Sequence, residues 1–168
     1  QLFEKKAHEL RDEKYVVPAK VHVLELNYST PTSQIYTGNN TNAYFLQESE
    51  FIRRSSFRNN LLAKLTGKLD NNTLILIDYI EHGELLFDIL SKNCKNKQIY
   101  FICGDVEVKE RKKIQELMEQ QKDIIIVAIS KIFSTGINIK NLHYLVFASG
   151  GKAKIKIIQS IGRGLRLH

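Results

Sequence analysis

Thr73-Leu74-Ile75-Leu76-Ile77-Asp78-Tyr79 is a run of apolar and β-branched residues that ends in an acid and an aromatic ring. A continuous apolar run of this length suits a strand buried on both faces of a parallel sheet. Three similar runs follow it: Gln98–Cys103 (QIYFIC), Asp123–Ile129 (DIIIVAI) and His143–Ala148 (HYLVFA). Helical spacing separates them. Leu85, Leu86, Ile89 and Leu90 follow His82-Gly83 in a 3-4 rhythm, and Ile114, Leu117 and Met118 do so within the charged stretch Glu107–Gln121. Strand and helix alternating about every 25 residues predict stacked βαβ units, an α/β fold with a mostly parallel central sheet between helical layers. The last segment, Lys154–Leu167, puts Ile155, Ile158, Ile161 and Leu165 on one helical face and Gln159, Arg163 and Arg166 on another.

Before residue 73 the pattern changes. Leu2–Lys14 reads as a charged helix. Lys20–Leu26 alternates like an exposed strand, with Val21, Val23 and Leu24 or Leu26 facing in. Tyr28–Asn42, with Pro31, Gly38 and adjacent asparagines, reads as a loop. Tyr44–Leu65 has helical periodicity through Phe45, Phe51 or Ile52, Leu61, Leu62 and Leu65, and Lys68–Asn72 reads as a turn. The expected organisation is a linker segment over residues 1–42 and a compact domain over 43–168.

Of the 168 residues, 43% are apolar and 26% charged, the balance of a globular chain rather than a disordered one. No apolar run reaches the roughly 18 residues of a membrane span. The first residue is Gln1 and no basic-then-apolar leader follows, so a fragment of a longer protein is expected rather than a signal peptide. Cys94 and Cys103 are too few for a disulfide framework or a zinc site, and fit a reducing, cytoplasmic setting. The His and carboxylate residues show no metal-ligand spacing. The net charge of +7 is unevenly placed. No Asp or Glu follows Asp123, whereas Lys131, Lys140, Lys152, Lys154, Lys156, Arg163 and Arg166 do, so the whole excess is C-terminal. Clustered positive charge of this kind binds polyanions such as nucleic-acid backbone, although a solvated basic face has the same composition.

The sharpest local pattern is Gln159-Ser160-Ile161-Gly162-Arg163-Gly164-Leu165-Arg166. Arg163 and Arg166 are three apart and share a helix face. Two guanidiniums there can clamp one phosphate, because their forked donors match its oxygens. Gly162 and Gly164, poor helix formers, point to a close approach by a ligand or another backbone. On this segment alone, a surface helix with incidental arginines stays open. The spacing Q-x-x-G-R-x-x-R matches motif VI of superfamily two helicases, and an arginine aimed at a γ-phosphate plays the arginine-finger role.

Three further stretches resemble motifs of the same superfamily, in the same order. Ser130, Gly136 and Asn138 hold the offsets of motif V, within Ser130-Lys131-Ile132-Phe133-Ser134-Thr135-Gly136-Ile137-Asn138. Asn138 replaces the Asp of one branch, so a ribose contact there carries no charge. Cys103-Gly104-Asp105 followed by Arg111 resembles the H-G-D-x-x-Q-x-x-R stretch, with Cys103 for His and Val108 for Gln. Thr73–Leu86 resembles motif IV, a buried strand with Asp78 at its carboxyl end, where open α/β sheets put ligands. His82 reads as structural or solvent-facing rather than catalytic.

Residues 70–168 therefore resemble the second RecA-like domain of a superfamily two helicase, a three-layer sandwich, in the pattern of the phage UvsW-type DNA helicases. The resemblance implies catalytic roles for Arg163 and Arg166 and nucleotide contacts for Gly136, Asn138, Gln159 and Gly162. It implies nucleic-acid contacts for Asp78, Gly104, Arg111, Ser130 and Thr135. The sequence contains no G-x-x-x-x-G-K-[ST] loop and no D-E-x-[DH] box. ATP and Mg²⁺ are accordingly expected to be held mainly by a first RecA-like domain of the same polypeptide, and this chain alone is expected to be inactive. The partner is nucleic acid. Backbone-gripping motifs do not read the base, and the UvsW-type resemblance favours DNA over RNA. The competing readings are a non-enzymatic basic nucleic-acid-binding module and the motor subunit of a nuclease-translocase.

Overall fold

The computed structural model describes residues 20–28, 41–103, 112, 115–116, 118–130 and 141–148. Helix α1 (Thr41–Arg54) and helix α2 (Ser56–Lys68) lead into strand β1 (Thr73–Ile77). Helix α3 (Ile80–Asn93), β2 (Gln98–Ile102), β3 (Ile124–Ile129) and β4 (Tyr144–Phe147) follow. Among the described residues the pairings are all parallel and the strand order is β2-β3-β1-β4. The sheet is the α/β arrangement that the apolar runs imply.

Burial follows position in the sheet. Among the described strands, β1 and β3 lie in the centre and are buried along almost their whole length, whereas β2 and β4 are the outer two and are half-buried. Side chains alternate between the faces. Leu74, Leu76, Ile124, Ile126 and Ala128 pack on one face with Ile102 and Met118. Ile75, Ile77, Ile125 and Val127 pack on the other against Ala63 of α2 and Leu86 and Leu90 of α3. The sheet is therefore sandwiched. Residue 83 is where α3 comes nearest: a Cβ there would overlap the Phe101 ring and the end of Ile77, so the approach needs Gly83.

The periodic stretch Tyr44–Leu65 is two helices, not one. Ser55 interrupts it with φ −59° and ψ 109°, and its hydroxyl accepts from Arg58 N at 3.3 Å as the N-cap of α2. Asn59 Nδ2 donates to Arg53 O at 2.8 Å and satisfies an orphan carbonyl at the end of α1. Phe45, placed on the apolar stripe by its spacing, is 55% exposed. The strand expected over Lys20–Leu26 is absent. Val21, Val23 and Leu24 are exposed, since alternation without a neighbouring backbone to pair with makes no strand. Tyr28 instead docks edge-on against Phe51 and Phe57, with ring centroids 5.3 and 6.4 Å away. The helix expected over Leu2–Lys14 lies outside the described residues, as does most of the loop after Tyr28.

Structural polar groups crowd the amino edge of the sheet. Asn71, Asp123 and Asn141 take positive φ of 70°, 64° and 59° in the turns before β1, β3 and β4, a conformation that Asn and Asp tolerate best. Asn71 N donates to Asp123 Oδ1 at 2.6 Å, and Lys97 Nζ lies 3.7 Å from the same oxygen and also donates to Leu69 O. Asn72 is buried among three chain segments. Its Nδ2 donates to Met118 O at 2.8 Å and Gln121 O at 3.1 Å, and its Oδ1 accepts from Ile124 N at 3.2 Å. Its backbone oxygen accepts from His143 N and Tyr144 N, both at 3.1 Å. Open α/β sheets place ligands at the opposite, carboxyl edge.

Candidate nucleic-acid interface at the carboxyl edge

Parallel strands end on one side, so each strand delivers its next residue to the same edge. Ile77 of β1 pairs with Ile129 of β3, which makes Asp78 and Ser130 the following rung. Ser130 Oγ donates a hydrogen bond to Asp78 Oδ1. Both side chains are half-buried, on a base of fully buried isoleucine, leucine and valine. Two residues 52 apart in sequence are thereby joined where the two central strands terminate.

Tyr79, next along, is 38% exposed. The Arg53 guanidinium carbon sits 3.9 Å from its ring centroid, and Arg53 Nε donates to Ser49 O at 3.1 Å. This cation–π contact fixes the end of α1 over the start of α3. Arg53, Arg54, Glu81, His82 and Leu85 line an open cavity of about 320 Å³ beside it. Arg54 pairs with Glu50 one turn back at 3.0 Å. Beneath the cavity, His82 is 3% exposed. Burial lowers its pKa to about 4, with Arg58 and Arg53 adding to the shift, so it is neutral at physiological pH. Arg58 Nη2 donates to Ala148 O at 2.7 Å, and Ala148 N donates to Leu76 O at 2.9 Å. Arg58 thus ties α2 to the end of β4. Its burial pushes the guanidinium pKa down, opposed by Tyr28.

Of the residues singled out from sequence, the structure brings Asp78 and Ser130 together. Gly104, Arg111, Thr135, Gly136, Asn138, Gln159, Gly162, Arg163 and Arg166 lie outside the described residues. The sequence did not reveal the contact of Arg53 with Tyr79. The adjacent pair Arg53-Arg54, in a half of the chain that is otherwise charge-balanced, was the available signal. Among the described residues there is no group of three His, Cys, Asp or Glu that could hold a metal, and no helix long and apolar enough to cross a membrane. Among the described residues of this edge, the Ser130 hydroxyl hydrogen is donated to Asp78 Oδ1.

A parallel sheet with helices on both faces and polar residues at its carboxyl edge is an α/β arrangement of the RecA-like kind. Residues 57–168 match the family described as the helicase conserved C-terminal domain. The chain is 42% identical over 127 residues to the ATP-dependent DNA helicase uvsW of Enterobacteria phage T4, a match covering 74% of this chain and 25% of that protein. Among solved structures, the crystal structure of T4 UvsW superposes with a TM-score of 0.65 at 36% identity, over 79% of this chain and 26% of that one. The C-terminal part of the Fun30 ATPase domain superposes with a TM-score of 0.59 at 19% identity, over 69% of this chain and 38% of that one, a likeness of fold. The chain belongs to the helicase C-terminal domain family of superfamily two, in its UvsW-type branch. It spans about a quarter of the length of the UvsW helicase it matches.

Proposed function

We propose that this chain is the second motor domain of an ATP-dependent DNA helicase or translocase, and that a first RecA-like domain precedes it in the same polypeptide. The observation that carries the reading is the pairing of Asp78 and Ser130 at the carboxyl edge of the sheet, within a chain that matches the helicase family over residues 57–168. The acid-free C-terminal segment supports it, as a surface for polyanions.

In this reading Arg163 and Arg166 face the γ-phosphate of a nucleotide held mainly by the first domain, and stabilise the charge that develops on it. Gly136, Asn138, Gln159 and Gly162 line the same cleft. Gly104, Arg111, Ser130 and Thr135 grip backbone phosphates, and Asp78 acts through Ser130. ATP, with Mg²⁺, supplies the free energy that alternates closed and open forms of the cleft. Each closure brings the grip of this domain towards that of the first, and each opening separates them along the strand. Residues 1–42 serve as the linker between the two domains.

The test is ATP hydrolysis by the 168-residue chain alone and by the full-length protein, each with and without single-stranded DNA. The chain alone is expected to show no turnover above background, and the full-length protein to show DNA-stimulated turnover. Substantial hydrolysis by the chain alone overturns this division of labour.

A further inference from the structure

We propose that Asp78 is a latch on Ser130, and that their hydrogen bond has to open before this point of the carboxyl edge can grip a DNA phosphate. The inference rests on the reading of this edge as part of a backbone track. It assigns Asp78 a specific job there, as a positioning residue that withholds a donor.

A serine hydroxyl has one hydrogen to donate and otherwise only lone pairs. In the structure that hydrogen is given to Asp78 Oδ1. A backbone phosphate is an acceptor, so it needs the same hydrogen. A DNA backbone carries no donor, so it has nothing to offer the lone pairs that remain on Oγ. Phosphate and carboxylate therefore compete for one proton. The resident bond is charge-assisted and stronger than a neutral one.

The backbone keeps the competitor in place. Asp78 and Ser130 each follow the last residue of a central strand, and Ile77 and Ile129 are paired in register immediately before them. Leu74, Ile75, Leu76, Ile77, Ile125, Ile126 and Val127 beneath them are fully buried. The two backbones cannot separate without breaking the best-packed part of the sheet. Opening is therefore left to the side chains: rotation about the Ser130 Cα–Cβ bond, or withdrawal of the Asp78 carboxylate. The latch has two discrete arrangements, hydroxyl to carboxylate or hydroxyl to phosphate, and occupancy of the strand decides between them.

Binding of a labelled oligothymidylate to the nucleotide-free full-length protein, measured by fluorescence anisotropy at fixed salt, tests this. Asp78→Asn keeps the shape and removes the charge, and is expected to tighten binding about tenfold. In a Ser130→Ala background the same Asp78→Asn change is expected to alter affinity less than about twofold, because no hydroxyl is left to release. Ser130→Thr retains the hydroxyl and is expected to retain the response to Asp78→Asn, which separates the latch from any loss of folding in the alanine variant. Equal tightening with and without the Ser130 hydroxyl overturns the proposal, since simple charge removal then accounts for it. No tightening with Asp78→Asn while Ser130→Ala weakens binding overturns the latch and leaves the track. If Ser130→Ala has no effect in either background, the reading of this edge as a track fails as well.

Discussion

His82 Nε2 lies 3.0 Å from Asn59 Oδ1, and both side chains are buried. The partnership sets the tautomer. Asn59 spends Nδ2 on Arg53 O, so its oxygen faces the imidazole and His82 donates from Nε2 as a neutral ring. Burial, then Arg58, then Arg53 lower the His82 pKa from 6.5 to about 4. The unfolded chain therefore binds a proton between pH 6.5 and 4 that the folded chain refuses. The stability contributed is fully present above pH 6.5 and is lost as pH falls towards 4, to a total of roughly 3 kcal/mol. Urea unfolding at about pH 7.5 and about pH 4.5 checks it. The wild-type chain should lose about 2 kcal/mol more than His82→Gln over that interval. Parallel losses would mean that other groups carry the acid sensitivity.

Gly83 stands inside α3, where alanine is ordinarily better by about 1 kcal/mol. Here a Cβ would overlap Phe101 and Ile77. Overpacking of a closed core costs about 1–3 kcal/mol, and two neighbours obstructed at once put Gly83→Ala at the upper end. A net loss of about 1–2 kcal/mol is expected, which lowers Tm by several degrees in a chain of this size. A higher Tm would show that Phe101, half-buried on the edge strand, swings aside freely.

Asn72 joins β1, the helical end at Met118, the turn into β3 and the start of β4 through one side chain and one carbonyl. Asn72→Ala leaves two carbonyls and one N–H without their partner, at about 1–3 kcal/mol for each group that stays dry. Asn72→Asp should be worse still, since it turns a carboxylate oxygen towards Met118 O and Gln121 O. Thermal melts of the two variants give the order; an aspartate variant more stable than the alanine one would contradict the hydrogen-bond assignment.

The central strands were readable in the sequence because TLILI and IIIVAI are buried on both faces, and only a strand in mid-sheet needs five or six apolar residues in succession. The edge strands carry polar ends for the same reason in reverse. Periodicity did not reveal the break at Ser55, because apolar spacing continues through a capped junction while backbone hydrogen bonds do not. Lys20–Leu26 had the alternation of a strand, but pairing depends on a partner that no local pattern encodes. At the site, Asp78 and Ser130 were each visible as motif residues. Their bond was not, because it follows from β1 and β3 being neighbours in the order β2-β3-β1-β4. The stack of Arg53 on Tyr79 and the pair His82–Asn59 likewise join residues that only the packing of α1, α2 and α3 brings together.

The proposed arginine finger gives the most direct functional prediction. Arg166 follows Arg163 by three residues in the motif VI pattern, and only a group that meets the transferring phosphoryl acts selectively on the chemical step. In the full-length protein Arg166→Ala should lower DNA-stimulated ATP hydrolysis on the order of 10³-fold. DNA affinity without nucleotide should change little, because the proposed phosphate grip lies on other residues. Arg166→Lys should recover little activity, since an ammonium keeps the charge but not the planar fork that spans two phosphate oxygens. Turnover and anisotropy measured on the same preparations distinguish the possibilities. Equal loss of hydrolysis and binding would make Arg166 a structural residue, and recovery by lysine would make it a simple source of charge.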